Sequence, residues 1–500
     1  MNKLTSKISN APVVIVVLFG FALLLSASFY TRIFLPKFFL ILFFWVLFTC
    51  SFVYWVRDVG LSILPRFFLA CFGMSFLVFF EYLFADYSDF ARGLPLVDAL
   101  ASQPEMVEFV LTCGNLGLIG LVMGFLVIGF GSSQNPTRSI EMPTASGLGY
   151  VLFCYIIPFV GVAFLFISQP KATILTMSYS EITSGESRAL VEGVAFDGLG
   201  YIMYIWLAAA WIATEKGREM DNWKVGARRY LIGLLLFLLV FSNLLKGSRT
   251  IAGLIAAISM LYVTEGVGAT GLFIKASIVA RIRRILPWTI LTFVVFMVWG
   301  EVRAGYVEGR VDWNTAYLRL TNVYKSGEWI AGIYASFGMA EEFFSGSLRF
   351  LYGETYKDYF LSLPPGPIAS LFQYERPINS AQGPSYWYIG YTVGGMNPII
   401  VPFKNFGPVG IVVHMALCGI GIGWAELLVA RREPFGRLLL AGLFVGGFHW
   451  FWYGDMYIVR VLMIVAIVGV CYRIMIGPLR LGGRGMLVGS SPRSRPALRH

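Results

Sequence analysis

The residues of this chain that are best suited to chemistry lie between positions 301 and 398, where Arg, Glu, Asp and Tyr occur more densely than elsewhere. In the run AEEFFSGSLRFLYGETYKDYF, carboxylates alternate with Phe and Leu. A carboxylate beside a bound hydroxyl group can act as a general base, and the flat faces of tyrosine rings suit sugars. We predict three candidate catalytic bases and two substrate-binding residues in this run, namely Glu341, Glu342 and Glu354, and Arg349 and Tyr352.

The same run has a second interpretation, in which residues 340–360 form one amphipathic helix on the membrane surface with the aromatic side chains in lipid. The two interpretations differ in what they expect of a Glu→Gln substitution. The substitution is nearly silent at a lipid surface, and it lowers turnover at a catalytic base. The sequence leaves both interpretations open.

Two cations, Lys246 and Arg249, stand in a short turn before an apolar segment that begins with Ser and Thr. The amide groups at a helix N-terminus are unpaired and its dipole is positive, so such an end binds anions, phosphate in particular. We therefore predict that both residues bind a phosphate group of the substrate. The alternative is that the two side chains extend along the helix to reach the membrane interface.

Three further arginines are predicted to bind substrate. Arg303 and Arg310 stand where an apolar segment ends, and the planar guanidinium group holds two phosphate oxygens at once. Glu301 is close enough to Arg303 to neutralise it instead. Arg460 lies inside an apolar segment, where an arginine is costly and usually functional. A structural alternative pairs Arg460 with Asp455.

Composition places these groups in a membrane protein. The 500 residues are 57% hydrophobic and 13% charged, whereas soluble proteins average about 45–50% apolar and about 25% charged residues. The apolar residues form blocks of about 17–25, the length that crosses a bilayer as a helix. We predict an all-α polytopic fold with one membrane domain over 1–476 and about 12 transmembrane helices: 11–30, 36–56, 65–84, 108–131, 147–168, 195–213, 230–245, 249–264, 286–303, 398–429, 436–453 and 455–476.

The distribution of positive charge predicts how the chain is oriented in the membrane. Lys and Arg are concentrated in one set of short loops, which the positive-inside rule assigns to the cytoplasm. Both termini are then cytoplasmic, residues 304–397 form a large extracytoplasmic loop between spans 9 and 10, and the Arg-rich tail 477–500 is disordered and cytoplasmic. The net charge of +11 follows from this topology, so we predict no nucleic-acid partner.

Cysteine and histidine usage gives no sign of a metal centre. All six cysteines lie within apolar blocks without metal-ligand spacing, and the three histidines are scattered along the chain. We predict no metal site and no cofactor.

Three segments together carry a resemblance to a known family. The first is Gly247-Ser248-Arg249, the second is YGETY at 352–356 with the Pro-rich stretch that follows, and the third is FKNFGPVGIVVHMALCGIGIGWAE at 403–426. In this order they resemble the O-antigen polymerase (Wzy) type of oligosaccharide repeat-unit polymerases. The resemblance covers roughly residues 230–476.

The resemblance implies a multispanning glycosyltransferase of the GT-C type in the bacterial inner (plasma) membrane. Its donor would be a glycan on undecaprenyl diphosphate and its acceptor a lipid-linked repeat unit at the periplasmic face. Cations would hold the diphosphate and a base would activate the acceptor hydroxyl. The implied partners are these lipid-linked substrates, membrane lipid, a chain-length regulator and a repeat-unit flippase.

Two other functions remain open at this point. An O-antigen ligase-like transferase would use the same donor with a different acceptor. A polysaccharide transporter or flippase would place polar residues at mid-membrane and show pseudo-symmetric halves. The charges here concentrate at outer helix ends and in one loop, which argues against a transporter, whereas the sequence barely separates a polymerase from a ligase.

Overall fold

The computed structural model describes residues 11–55, 63–84, 95–131, 148–168, 196–214, 222–245, 327–361, 396–430 and 434–476, with a few single positions between them. Every regular element in these ranges is helical. The α-helices in chain order are α1 (Ala11–Thr31), α2 (Lys37–Cys50), α3 (Ile63–Ser75), α4 (Pro95–Ala101), α5 (Pro104–Gly131), α6 (Leu148–Val151), α7 (Ile157–Ser168), α8 (Phe196–Thr214), α9 (Asn222–Leu245), α10 (Gly327–Ser345), α11 (Glu354–Leu361), α12 (Ile400–Ala430), α13 (Pro434–Tyr453) and α14 (Asp455–Ile476).

Helix length and composition confirm a multi-pass, all-helical membrane protein. Six described helical stretches are long and apolar enough to cross a membrane, and α3 with the 3₁₀ turn that follows it makes a seventh, bent by 50°. Three shorter apolar helices cover 200–214, 229–241 and 435–451. The predicted spans 249–264 and 286–303 lie outside the continuous stretches that the structure describes.

Helices α5 and α12 pack side by side through small residues at the centre of the bundle. A Cβ atom at Gly120 would lie 2.5 Å from the carbonyl oxygen of Val412, and one at Gly124 would collide with the carbonyl oxygen of Ala416. The two backbones therefore touch directly, as glycine-lined helix pairs in membranes do. This close approach fixes the axis of α12, on which much of the candidate site stands.

The bundle has two distinguishable ends. At the first, the rings of Phe29, Phe109 and Phe403 pack with centroids 5.2–5.4 Å apart, joining the C-terminal end of α1 to the N-terminal ends of α5 and α12. We call this the aromatic end. At the opposite end, the Glu426 carboxylate accepts hydrogen bonds from the amides of Ile63 and Leu64, both at 3.1 Å, which caps the start of α3.

The segment predicted as a large loop contains a buried helix. Residues 332–340 of α10 are all buried, and the helix packs against α3, α5 and α13. Its Gly332 lies against the backbone of Phe451 in α13. Small residues in IAGIYASFGMA allow this close packing, which an extracytoplasmic loop in water does not require.

The interpretation of residues 340–360 as one amphipathic helix is wrong. Helix α10 ends at Ser345, residues 346–353 are not helical, and α11 begins at Glu354. Gly346 and Gly353 have φ values of 75° and 92°, in the left-handed region that glycine adopts without strain. Two glycines therefore divide the segment and let it fold back against α12.

Candidate functional site

Helix α12 breaks at Gly407, and the break creates an attachment point for another part of the chain. Gly407 has φ 68° and ψ −156°, and the next residue is Pro408. Proline has no N–H group, so the carbonyl oxygen of Lys404 loses its helical donor. The amide of Leu351 donates to that oxygen at 2.9 Å, and the amide of Tyr352 donates to the Asn405 carbonyl at 3.2 Å.

The Asn405 side chain strengthens this attachment. It is fully buried, and its Oδ1 accepts a hydrogen bond from the amide of Gly353 at 2.8 Å. Its Nδ2 donates to Thr355 Oγ1 at 3.2 Å and to the carbonyl oxygen of Val401 at 2.8 Å. Residues 350–356, which we call the docked segment, are thus joined to α12 by backbone and side-chain bonds.

A chain of polar side chains runs from the docked segment into the bundle. The Tyr356 hydroxyl lies 3.1 Å from His414 Nδ1, and His414 Nε2 lies 3.2 Å from Asp455 Oδ1. Trp450 Nε1 donates to the same Asp455 oxygen at 2.7 Å. Tyr356, in turn, stacks on Phe406 with an angle of 6° between the rings. Three elements, α11, α12 and the start of α14, therefore meet at His414.

Donor and acceptor roles in this chain depend on the tautomer of His414. With the proton of a neutral ring on Nε2, His414 donates to Asp455, and Nδ1 accepts from the Tyr356 hydroxyl. Burial, followed by the negative charge of Asp455, raises the pKa of Tyr356 well above its usual range. The hydroxyl therefore keeps its proton and can donate it to the imidazole ring.

A second polar group lies at the C-terminal end of α10. Lys404 Nζ lies 2.9 Å from Glu342 Oε2, and the Tyr388 hydroxyl donates to the same oxygen at 3.0 Å. The Tyr391 hydroxyl donates to Glu341 Oε2. We call these five residues the Glu–Tyr–Lys cluster.

Aromatic rings surround the cation of this cluster. Lys404 Nζ lies 4.9 Å from the ring centre of Trp387 and 5.3 Å from that of Tyr388, distances at which the ring faces attract a cation. Burial, and then the hydrogen bond to Glu341, raises the pKa of Tyr391 to about 12. Burial and the charge of Glu342 raise the pKa of Tyr388 further still. Both hydroxyls stay protonated and keep donating to the carboxylates.

The predicted site residues do not come together in one place. Glu341 and Glu342 belong to the Glu–Tyr–Lys cluster, whereas Glu354, at the start of α11, is exposed. Arg349 is exposed, and Tyr352 is 81% exposed in the docked segment. Four more basic residues predicted to bind substrate lie outside the described residues: Lys246, Arg249, Arg303 and Arg310. Arg460 is among the described residues.

The structural alternative for Arg460, a pairing with Asp455, is wrong. Oδ1 of Asp455 accepts a hydrogen bond from Trp450 and lies 3.2 Å from His414 Nε2. The other oxygen, Oδ2, is buried and has no hydrogen-bond partner within the described part of the chain. Arg460 is exposed on the surface of α14. The intramembrane arginine thus points away from the polar chain.

Sequence reasoning did not select Tyr356, His414 or Lys404. The sequence could have indicated His414, because a titratable residue inside an apolar helix is costly unless it has a partner. Lys404 carried a weaker signal, as a lone cation just before the NFG motif. Nothing local indicates their partners, which are 41 to 62 residues away in the sequence.

Within the ranges that the structure describes, no group of three or more His, Cys, Asp or Glu side chains could hold a metal ion. The chain matches no protein-family model, no curated protein and no solved structure. Functional inference therefore depends on the arrangement of side chains described above.

Proposed function

We propose that the protein is a glycosyltransferase that polymerises undecaprenyl-diphosphate-linked oligosaccharide repeat units at the periplasmic face of the bacterial inner membrane. The product would be O-antigen, capsule or exopolysaccharide. One observation carries the proposal most directly. The two segments YGETY and NFG, which are separated by 48 residues of sequence and which both enter the resemblance to Wzy polymerases, bind each other through Asn405.

The chemistry of the surrounding residues supports a sugar substrate. Tyr352 and Phe350 are exposed in the docked segment, and such aromatic surfaces stack on the C–H faces of sugars. Arg349 is exposed next to them, and Lys404 lies at the same break in α12. Carboxylates, hydroxyls and a cation thus accompany an aromatic surface, as carbohydrate recognition requires.

The donor diphosphate needs cations of its own, because negative charge grows on the leaving oxygen as the glycosidic bond breaks. We assign this role to Arg249 and Arg303, and we propose Lys246 and Arg310 as further cations that bind the substrate. Replacing Arg249 or Arg303 by Ala should abolish polymer while the protein stays in the membrane. Lys should restore activity in part, because it lacks the bidentate geometry of Arg. Full polymer length in both Ala variants would contradict the assignment.

Topology offers an independent test. The proposal requires cytoplasmic termini and an extracytoplasmic position for residues 326 and 380. Ser326→Cys and Ser380→Cys should react with a membrane-impermeant maleimide in intact cells. Reaction only after lysis would reverse the orientation and remove the proposed function with it.

Deletion of the gene in its host distinguishes the three candidate functions. Loss of a polymerase leaves surface lipid that carries single repeat units, and gel electrophoresis resolves these from long chains. Loss of a ligase leaves no repeat units attached to the surface lipid, while loss of a flippase leaves them on the cytoplasmic side. Long surface chains of normal length in the deletion strain would contradict a role as polymerase.

A further inference from the structure

The chain Tyr356–His414–Asp455 has features of a proton path rather than of simple packing. Asp455 is 3% exposed, yet one of its oxygens has no hydrogen-bond partner among the described residues. A buried carboxylate oxygen that lacks a hydrogen-bond donor lowers the stability of the folded protein. The His414 side chain is 18% exposed, and Tyr356 at the outer end of the chain is half-buried. The chain thus connects a half-buried tyrosine of the docked segment to a buried carboxyl group.

The geometry also limits what the glutamates can do. Oε2 of Glu342 accepts hydrogen bonds from both Lys404 and Tyr388, and Lys404 also lies 3.3 Å from Oε1. Glu341 already accepts from Tyr391. These carboxylates are held by donors from two other parts of the chain, so they suit the binding of sugar hydroxyls. Nδ1 of His414, in contrast, faces a single partner, the Tyr356 hydroxyl at 3.1 Å, and the neutral Nε2–H tautomer offers a lone pair there.

We propose that Tyr356 is the catalytic residue that takes the proton from the acceptor hydroxyl, with His414 and Asp455 as the positioning residues behind it. The inference rests on the proposed function and names the proton acceptor within it. It places the base in the docked segment, four residues after the exposed Tyr352.

The step conserves atoms and charge. The acceptor oxygen forms a bond to the anomeric carbon of the donor, and the bond from that carbon to the lipid diphosphate breaks, with its electron pair leaving on the diphosphate. The acceptor proton moves to the Tyr356 oxygen while the Tyr356 proton moves to His414 Nδ1. Asp455 stabilises the imidazolium that forms, and water takes the proton when the products leave.

Two variants test the path in purified protein in lipid nanodiscs, with lipid-linked repeat units as substrate. Tyr356→Phe keeps the ring that stacks on Phe406 and removes only the hydroxyl. His414→Gln keeps a donor for Asp455 and removes the basic nitrogen. Each should lower kcat by about 10²–10⁴-fold, the usual share of general acid–base catalysis, with KM little changed. The control is Tyr82→Phe, which removes a buried hydroxyl that donates to the Ala101 carbonyl at 2.9 Å.

The pH profile separates proton transfer from packing. Wild-type kcat should fall on the acidic side as His414 takes up a proton, and His414→Gln should lose this fall. The groups that face the ring are Asp455, Tyr356 and Cys418, whose Sγ lies 3.6 Å from Nε2, and Cys418→Ala should keep the profile. A residue that only supports the fold would lower activity equally at every pH.

The outcomes keep this inference separate from the proposed function. If wild-type protein transfers no glycan, the proposed function fails, and this inference fails with it. If wild type is active and both variants stay within about threefold of it, only the proton path is refuted. If His414→Gln is slow but keeps the acidic fall in kcat, the base lies elsewhere and the path is likewise refuted.

Discussion

Asn405→Ala is the most informative single change, because Asn405 joins the docked segment to the break in α12. Its side chain is fully buried and makes three hydrogen bonds. Two of them cross to Gly353 and Thr355, and the third stays within α12 and ends on the Val401 carbonyl. The substitution removes all three and leaves the partner groups without solvent to replace them.

The expected increase in local opening follows from the number of hydrogen bonds lost. A hydrogen bond contributes about 0.5–1.5 kcal/mol net, so the two bonds that cross to the docked segment contribute about 1–3 kcal/mol to keeping it in place. Because each 1.4 kcal/mol is a tenfold change in equilibrium, local opening of the segment should become about 5- to 150-fold more frequent. The backbone bonds of Leu351 and Tyr352 to α12 remain, so the segment should stay docked most of the time.

Hydrogen–deuterium exchange measures this opening directly, since the Gly353 amide is protected by Asn405 in the wild type. The matched control is Asn115→Ala. Asn115 is equally buried and donates to the carbonyls of Leu40 and Leu111 at 3.1 and 3.0 Å, neither of which belongs to the docked segment. The control should leave exchange over 351–356 unchanged. Exchange at Gly353 within twofold of wild type in Asn405→Ala would refute the role of this residue.

Three further predictions concern the bundle around the site. A double-mutant cycle of Lys404→Met and Glu342→Gln should give a coupling energy of about 0.5–3 kcal/mol in denaturant unfolding, and purely additive effects would contradict the observed ion pair. Gly124→Val should destabilise the protein because a side chain there collides with α12, whereas Gly421→Ala, with open space around it, should be neutral or stabilising in the same thermal assay. Glu426→Ala should lower stability by about 1–2 kcal/mol through loss of the cap on α3, with faster exchange at Leu64, and unchanged exchange there would contradict the capping role.

The sequence predicts the helices well where length and apolar content are sufficient. Spans predicted at 11–30, 398–429 and 455–476 correspond to helices Ala11–Thr31, Ile400–Ala430 and Asp455–Ile476. A continuous apolar block has one stable form in a bilayer, since every backbone polar group must be bonded within the helix. The buried helix α10 was missed because its Gly, Ala and Ser residues lower the apolar signal while permitting the close packing that buries it.

The candidate site is less predictable than the helices. Glu341 and Glu342 stand out as adjacent carboxylates in an aromatic run, and both prove to be hydrogen-bonded to tyrosines. The pairs Tyr356–His414 and His414–Asp455 join residues 58 and 41 positions apart, and no spacing rule connects them. Their contact depends on the bend at Gly407 and on the turn of the docked segment, which are properties of the folded chain.

The break at Gly407 has a consequence for how the site can move. The docked segment supplies amide donors to the carbonyls of Lys404 and Asn405. In a straight helix the Asn405 carbonyl would bond to the Val409 amide, so a straight α12 and the docked Tyr352 amide compete for one acceptor. Pro408 biases that competition, because it cannot supply a donor to Lys404 in any helical arrangement. Undocking would leave the Lys404 carbonyl without its donor, so residues 350–356 serve as a fixed floor for the site. We expect no gate for substrate entry within this segment.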